Sequence, residues 1–239
     1  MRLMTIASGS SGNSSYIGTD KTSLLLDAGI SLKNIERGLS KAGISPKELS
    51  GIFITHEHSD HIKGLGVLSR KYSIPIYATY GTIDGILMSK GLGVFDYNLF
   101  NPIKNHEQLI IGDIEINAHS ISHDANDPVC FNFKSISDLV TKKISVATDL
   151  GTYDKFLMDF LSESDAMVIE ANHDVRMLEV GPYPYSLKKR ILGDKGHLSN
   201  ETSGRLIKEL LNDHIKHISL GHLSDKNNFS ELAYETVKN

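Results

Sequence analysis

Six consecutive residues, His56-Glu57-His58-Ser59-Asp60-His61, follow the apolar run Ile52-Phe53-Ile54 after a single Thr55. Imidazoles and carboxylates crowded this closely are costly to desolvate unless a further group binds them. A divalent cation is the usual cause, because neutral imidazole and carboxylate suit zinc and its first-row neighbours. One turn this rich in ligands exceeds the need of a single tetrahedral site when more His and Asp residues follow, so it points to two metals and to hydrolysis. It also constrains the fold: a buried strand must end just before it, and a Gly-containing helix must begin just after. Alternation at the strand end predicts His56 and His58 on one side, with Asp60 and His61 facing back from the next segment.

The remaining composition limits what can hold such a cation. Cys130 is the single cysteine, which excludes an internal disulfide and every cysteine-based zinc motif. At 239 residues and 40% hydrophobic content the chain suits one large domain or two small ones. At this size about 70–75% of the unfolded surface can be buried, so no staple is required. No linker-like or low-complexity stretch interrupts it, and a single domain over 1–239 is expected. Residues 1–16 are polar and serine-rich, without the apolar core of a signal peptide. No run approaches the roughly 18 apolar residues of a membrane span. A cytoplasmic protein without membrane association is therefore expected. The net charge of −4 is not that of a generic nucleic-acid binder. Lys188, Lys189, Arg190 and Lys195 nevertheless cluster just ahead of His197, and Arg70 and Lys71 end another segment.

Aliphatic and β-branched runs predict strands over residues 3–6, 23–27, 51–55, 74–77, 108–111, 114–119, 131–134, 143–148, 166–170 and 217–220. Helical periodicity marks 32–42, with Ile35, Leu39 and Ala42 on one stripe, and 203–211, with Leu206, Ile207, Leu210 and Leu211 on another. Ser199 or Asn200 is the expected N-cap of the latter. Gly112-Asp113 is a hairpin signal between two apolar runs. The pattern predicts a hairpin-rich first half and a second half in which strands alternate with helices. Two mixed sheets with helices outside fit this better than a doubly wound parallel sheet. Gly9-Ser10-Ser11-Gly12-Asn13-Ser14 is phosphate-friendly but lacks the Lys-Ser/Thr ending of a P-loop.

Further ligand candidates fall where apolar strands end: Ser122-His123-Asp124, Asp149 and His222. Alone, each would read as a capping or surface residue. Together with the hexapeptide they are candidates for the missing ligands, and His119 competes with His123 for the third motif.

The order His-x-His-x-Asp-His, then a His, an Asp and a final His, resembles the metallo-β-lactamase fold superfamily over nearly the whole chain. That resemblance implies an α+β fold: a four-layer αββα sandwich of two mixed β-sheets flanked by helices, with two divalent metal ions. It implies His56, His58 and His123 on one ion, Asp60, His61 and His222 on the other, and Asp149 between them. Zinc is expected first, with manganese or iron as alternatives, since the donor set accepts all three.

Glu170-Ala171-Asn172-His173, Gly196-His197-Leu198-Ser199-Asn200 and Gly221-His222-Leu223-Ser224 resemble the tRNase Z and phosphodiesterase branch. There a Glu and a non-ligand His share proton transfer, which implies catalytic roles for Glu170 and His197 beside Asp60. The segments Ser8-Gly9-Ser10-Ser11-Gly12-Asn13-Ser14, Thr148-Asp149-Leu150-Gly151, Gly193-Asp194-Lys195-Gly196-His197 and His222-Leu223-Ser224-Asp225-Lys226-Asn227-Asn228 are similar to the bacterial YycJ/WalJ family. This implies a 5′→3′ DNA exonuclease acting in DNA repair on 5′ ends, with no obligate protein partner. Ser11, Asn13, Ser14, His173, Lys195 and Ser199 are the expected substrate contacts. His173 is equally open to roles as a partner of the metal ligands or as a structural residue. Two alternatives stand beside this: hydrolysis of a small phosphodiester or cyclic nucleotide, and a metal-binding regulatory scaffold.

Overall fold

In a computed structural model of the chain, which describes residues 1–136 and 140–239, strand β1 (Arg2–Ala7) pairs antiparallel with β2 (Ser14–Gly18), and β2 pairs antiparallel with β3 (Ser23–Leu26). Helix α1 (Leu32–Lys41) then carries the chain to β4 (Gly51–Phe53). Helices α2 (Ser59–Ile62) and α3 (Leu65–Tyr72) lead to β5 (Ile76–Thr79), and α4 (Tyr80–Met88) leads to β6 (Phe100–Ile103). These crossovers make β3, β4, β5 and β6 mutually parallel. The hairpin expected at Gly112-Asp113 joins β7 (Gln108–Ile111) to β8 (Ile114–Ser120), with Ile111 opposite Ile114 and Gly112 at φ +57°.

After β9 (Val129–Ser135), the chain alternates: β10 (Lys143–Ala147), α5 (Lys155–Leu161), β11 (Ala166–Glu170), α6 (Val175–Val180), α7 (Tyr185–Ile191), α8 (Asn200–Leu210), β12 (His217–Gly221) and α9 (Ser230–Lys238). Strands β10, β11 and β12 are parallel. The sheets run β1-β2-β3-β4-β5-β6 and β12-β11-β10-β9-β8-β7, both mixed, with flanking helices. The expected fold class is the observed one.

The chain divides into two compact units, each with its own core. One comprises Met1–Ala118, Ala125–Val129 and Phe133–Lys142. Its core gathers Leu25, Ile35, Leu39, Ile52, Leu65 and Ile76, all fully buried. The other comprises His119–Asp124, Cys130–Asn132 and Lys143–Asn239, centred on Ala147, Leu161, Met167, Ile169 and Leu206. Full burial of one such Leu or Ile side chain contributes about 1.5–3 kcal/mol. Among the described residues no helix is long and apolar enough to cross a membrane.

Several expectations need correction. The first half is only partly hairpin-rich, because β3 to β6 are linked by helices. Helices α3 and α4 contain Gly66, Gly81 and Gly85, whose presence masks the helical pattern. A side chain at Gly66 would meet the Leu92 carbonyl at 2.0 Å, and one at Gly85 would meet Glu57 at 2.3 Å, so close packing selects these glycines. Ser14, in the phosphate-friendly serine-rich stretch, instead opens β2, a strand not expected from the sequence, whose five residues are all buried. Strand β4 stops at Phe53, so His56 and His58 lie beyond it rather than alternating along it. In α8 the core stripe is Leu206, Ile207 and Leu210; Leu211 ends the helix 58% exposed. Ser199 is the N-cap and accepts the Thr202 N–H at 3.2 Å.

Candidate metal centre

In the first unit the hexapeptide is held by a residue that the sequence did not single out. Asp27, at the end of β3, is buried and adopts φ +58°, a left-handed conformation that Asp tolerates better than most side chains. Its carboxylate accepts the Thr55 backbone N–H at 2.9 Å and the Thr55 hydroxyl at 3.0–3.1 Å. Its Oδ2 also lies 2.8 Å from His61 Nδ1. That contact to a carboxylate places the proton on Nδ1 and makes Nε2 the nitrogen with the lone pair, the form in which histidine binds metals. Thr55 Oγ1 likewise stands 3.0 Å from His56 Nδ1. The His56 ring is fully buried, 4.6 Å from the ring of His58 and 4.1 Å from that of His61. His58 precedes α2 and Asp60 lies in its first turn.

The serine-rich loop supports this turn from the other side. Asn13 N–H donates to the Asp60 carbonyl at 2.7 Å, and Asn13 Nδ2 stands 3.3 Å from Asp60 Oδ2 and 3.0 Å from His61 Nε2. Gly29 packs against the same turn: a Cβ there would lie 1.6 Å from the Asp60 carbonyl oxygen. Only glycine permits that approach.

In the second unit, parallel strands deliver their polar residues at one end. Asp149 and His222 follow β10 and β12 with φ of +61° and +54°, and Glu170 closes β11. Glu170 is fully buried, and each of its oxygens is engaged. Oε1 accepts from His197 Nδ1 and His222 Nδ1, both at 2.9 Å, and from Asp149 N–H at 3.2 Å. Oε2 accepts from Leu150 N–H at 2.9 Å and Leu198 N–H at 3.0 Å. Burial would raise the Glu170 pKa, but the His197 charge and the hydrogen bonds from His197 and His222 outweigh it and hold it to about 2. Glu170 is therefore a carboxylate at neutral pH. Although Asp149, Glu170, His197 and His222 each bring a ligand atom within 4.8 Å of the others, Glu170 is committed to orienting the two imidazoles.

His123 donates Nδ1–H to the Gly196 carbonyl at 3.1 Å, again leaving Nε2. Its Nε2 lies 3.7 Å from Asp149 Oδ1, and His222 Nε2 lies 3.4 Å from the same oxygen. These separations are too long for good hydrogen bonds. The His222 separation matches the edge of a tetrahedron with bonds of about 2.0–2.1 Å, roughly 3.3–3.4 Å, so Asp149 and His222 fit as two ligands of one divalent cation. His119, the rival third motif, instead stacks on Phe160 with ring centroids 5.0 Å apart.

The expected substrate contacts divide. Ser11 and Lys195 are exposed. Asn13 is occupied with the Asp60 turn, and Ser199 caps α8. Ser14 and His173 are each only 1% exposed. Burial lowers the His173 pKa to about 4, so it is neutral at pH 7; its Nδ1 lies 3.3 Å from Asn172 Oδ1, and its carbonyl accepts the Asn200 N–H. Asn200 and Asn228 bond to one another, and Asn228 donates to the Ala171 carbonyl at 2.8 Å, which braces the chain just beyond Glu170. Among the basic residues, Lys188 donates to the Glu179 carbonyl at 2.7 Å. Arg190 forms a two-point pair with Asp124, beside His123.

The chain belongs to the metallo-beta-lactamase superfamily, whose family model matches residues 7–132. Within it the chain falls in the YycJ/WalJ group. It is 40% identical over 237 residues to exodeoxyribonuclease YycJ of Bacillus anthracis, covering 99% of this chain and 88% of that protein. It is 42% identical over 234 residues to exodeoxyribonuclease WalJ of Streptococcus pneumoniae serotype 2, covering 98% and 86%. Among solved structures, the metallo-beta-lactamase fold protein YhfI of Bacillus subtilis superimposes with a TM-score of 0.72 at 16% identity, covering 99% of this chain and 91% of that one.

Proposed function

We propose that this protein is a two-metal phosphodiester hydrolase that degrades DNA from the 5′ end, with zinc as the first metal to test and manganese or iron as alternatives. The superfamily's ligand pattern assigns His56, His58 and His123 to one cation, Asp60, His61 and His222 to the other, and Asp149 to both. Anchored Nδ1 atoms on His61, His123 and His222 support that assignment, since each directs coordination to Nε2. When bound, such ions lower the pKa of a water toward neutrality and neutralise charge on a phosphate.

The observation that carries the reading is the Glu170 carboxylate shared by His197 and His222, 2.9 Å from each Nδ1. It ties a candidate proton donor to a candidate ligand. His197 is the more exposed of the two, its side chain at 16% against 3% for His222. Glu170 orients the His197 ring through Nδ1, and His197 Nε2 carries the proton to the departing 3′ oxygen. General acid help of this kind is typically worth 10²–10⁴ in rate. DNA as the substrate is supported by the two exodeoxyribonuclease relatives, and the exposed Ser11, Lys189 and Lys195 are suited to backbone phosphates.

The metal-loaded protein is given 5′-phosphorylated DNA labelled at its 3′ end, alongside a cyclic nucleotide and a chromogenic small diester. Stepwise release of nucleotides from the 5′ end is expected. Shortening from the 3′ end would reverse the polarity, and preferred turnover of the cyclic nucleotide would replace the DNA reading. Asp149→Asn should abolish hydrolysis; a cellular role that survived it would favour a metal-binding scaffold.

A further inference from the structure

We infer that Tyr185, at the start of α7, is a base-stacking residue that grips single-stranded DNA on the helix that leads to His197; this rests on the nuclease reading above. Tyr185 is 82% exposed, more than Phe156 at 74% or Tyr97 at 70%. It lies in Gly181-Pro182-Tyr183-Pro184-Tyr185, where Pro184 is the N-cap and its carbonyl accepts the Leu187 and Lys188 N–H groups at 3.0 Å. Two prolines and this capping turn fix the backbone before any ligand arrives, so presenting the ring costs little ordering entropy.

The surroundings select the ligand. Residues 185–197 carry four cations, Lys188, Lys189, Arg190 and Lys195, against one acid, Asp194: a net +3 in a chain of net −4. Lys189 is one helical turn after Tyr185, hence on the same face, and is exposed. An aromatic ring beside a backbone cation is the pairing that binds unpaired nucleotides with little regard to sequence, because every base offers a π-face. An apolar protein partner would not call for the cations. A stacked duplex offers no free base face except at its end.

The helix is also fixed to the site. Its last residues meet His197 directly, since the His197 N–H donates to the Ile191 carbonyl at 3.0 Å. Arg190 pairs with Asp124, next to His123. A nucleotide stacked on Tyr185 is thus held by the same rigid segment that carries the proposed proton donor.

The chain contains no tryptophan, so Tyr185→Trp supplies a sole indole whose emission reports stacking. Phe156→Trp, at a site 74% exposed on α5, is the control. Metal-loaded variants are titrated with a 5′-phosphorylated, hydrolysis-resistant phosphorothioate oligothymidylate, and anisotropy of a labelled copy measures binding to the unmodified protein. Saturable quenching in Tyr185→Trp but not Phe156→Trp is expected, with affinity about tenfold weaker in Tyr185→Ala and retained in Tyr185→Phe. Binding by anisotropy without quenching would overturn the stacking role and leave the nuclease reading standing. Quenching by blunt duplex alone would overturn the single-strand assignment. No binding to any DNA would remove both.

Discussion

Asp27 Oδ2 receives the Nδ1–H of His61 across 2.8 Å, inside a pocket where Asp27 also accepts from Thr55. One buried carboxylate therefore sets the tautomer of a candidate ligand and the course of the strand that precedes it. Replacing Asp27 with Asn should lower metal affinity about 10–100-fold, the usual effect of losing such a partner. Competition with a chromogenic chelator measures it; unchanged affinity would leave Asp27 a purely structural anchor.

His197 and Glu170 should separate in kinetics. His197→Ala is expected to lower kcat on DNA by about 10²–10⁴ while metal content stays near that of the unmodified protein. Glu170→Gln should lower kcat and also weaken metal retention, because Glu170 holds His222 as well. Parallel metal analysis and steady-state kinetics distinguish the two.

Gly29→Ala tests close packing rather than charge. Its methyl group would start 1.6 Å from the Asp60 carbonyl, so the turn must move. A destabilisation of about 1–3 kcal/mol in urea unfolding is expected, with weaker metal binding.

The pair between Arg190 and Asp124 lies at the surface, so its contribution to global stability should be below about 1 kcal/mol. Its loss should instead be local. Arg190→Lys keeps the charge but not the two-point geometry, and hydrogen exchange in the loop around His123 should rise while the melting temperature holds.

Cys130 is 1% exposed in the second unit's core, and burial pushes its thiol pKa up, against the weaker opposing effects of a backbone hydrogen bond and Lys143. A disulfide reagent at neutral pH should therefore leave the native protein unlabelled and react only as it unfolds. Labelling rate against denaturant concentration would report that unit's opening.

The hexapeptide stood out as a candidate because its metal-binding side chains are contiguous, and the hairpin at Gly112-Asp113 was legible because its turn chemistry is local. Asp149 and His222 became candidates only in company with it. Asp27 was not, since a lone Asp after an apolar strand resembles a cap until its partners, one at Thr55 and one at His61, are seen in space. Strand β2 was missed because Ser14 and Ser15 are polar yet fully enclosed. Helices α3 and α4 were hidden by glycines selected for what they touch. Lys188 and Arg190 read as free cations in sequence, while their contacts to Glu179 and Asp124 exist only in the folded chain.

Asp27, Asp149 and His222 share positive φ angles, each at the end of a strand. Conformations of this kind cost of order 1–3 kcal/mol at a non-glycine residue. A laboratory selection for heat resistance alone would meet these positions early, since glycine there relieves the backbone while deleting the side chain. Thermal hardening and catalytic decay would then arrive in the same clones, and a library screened for both would keep the strained residues and harden elsewhere.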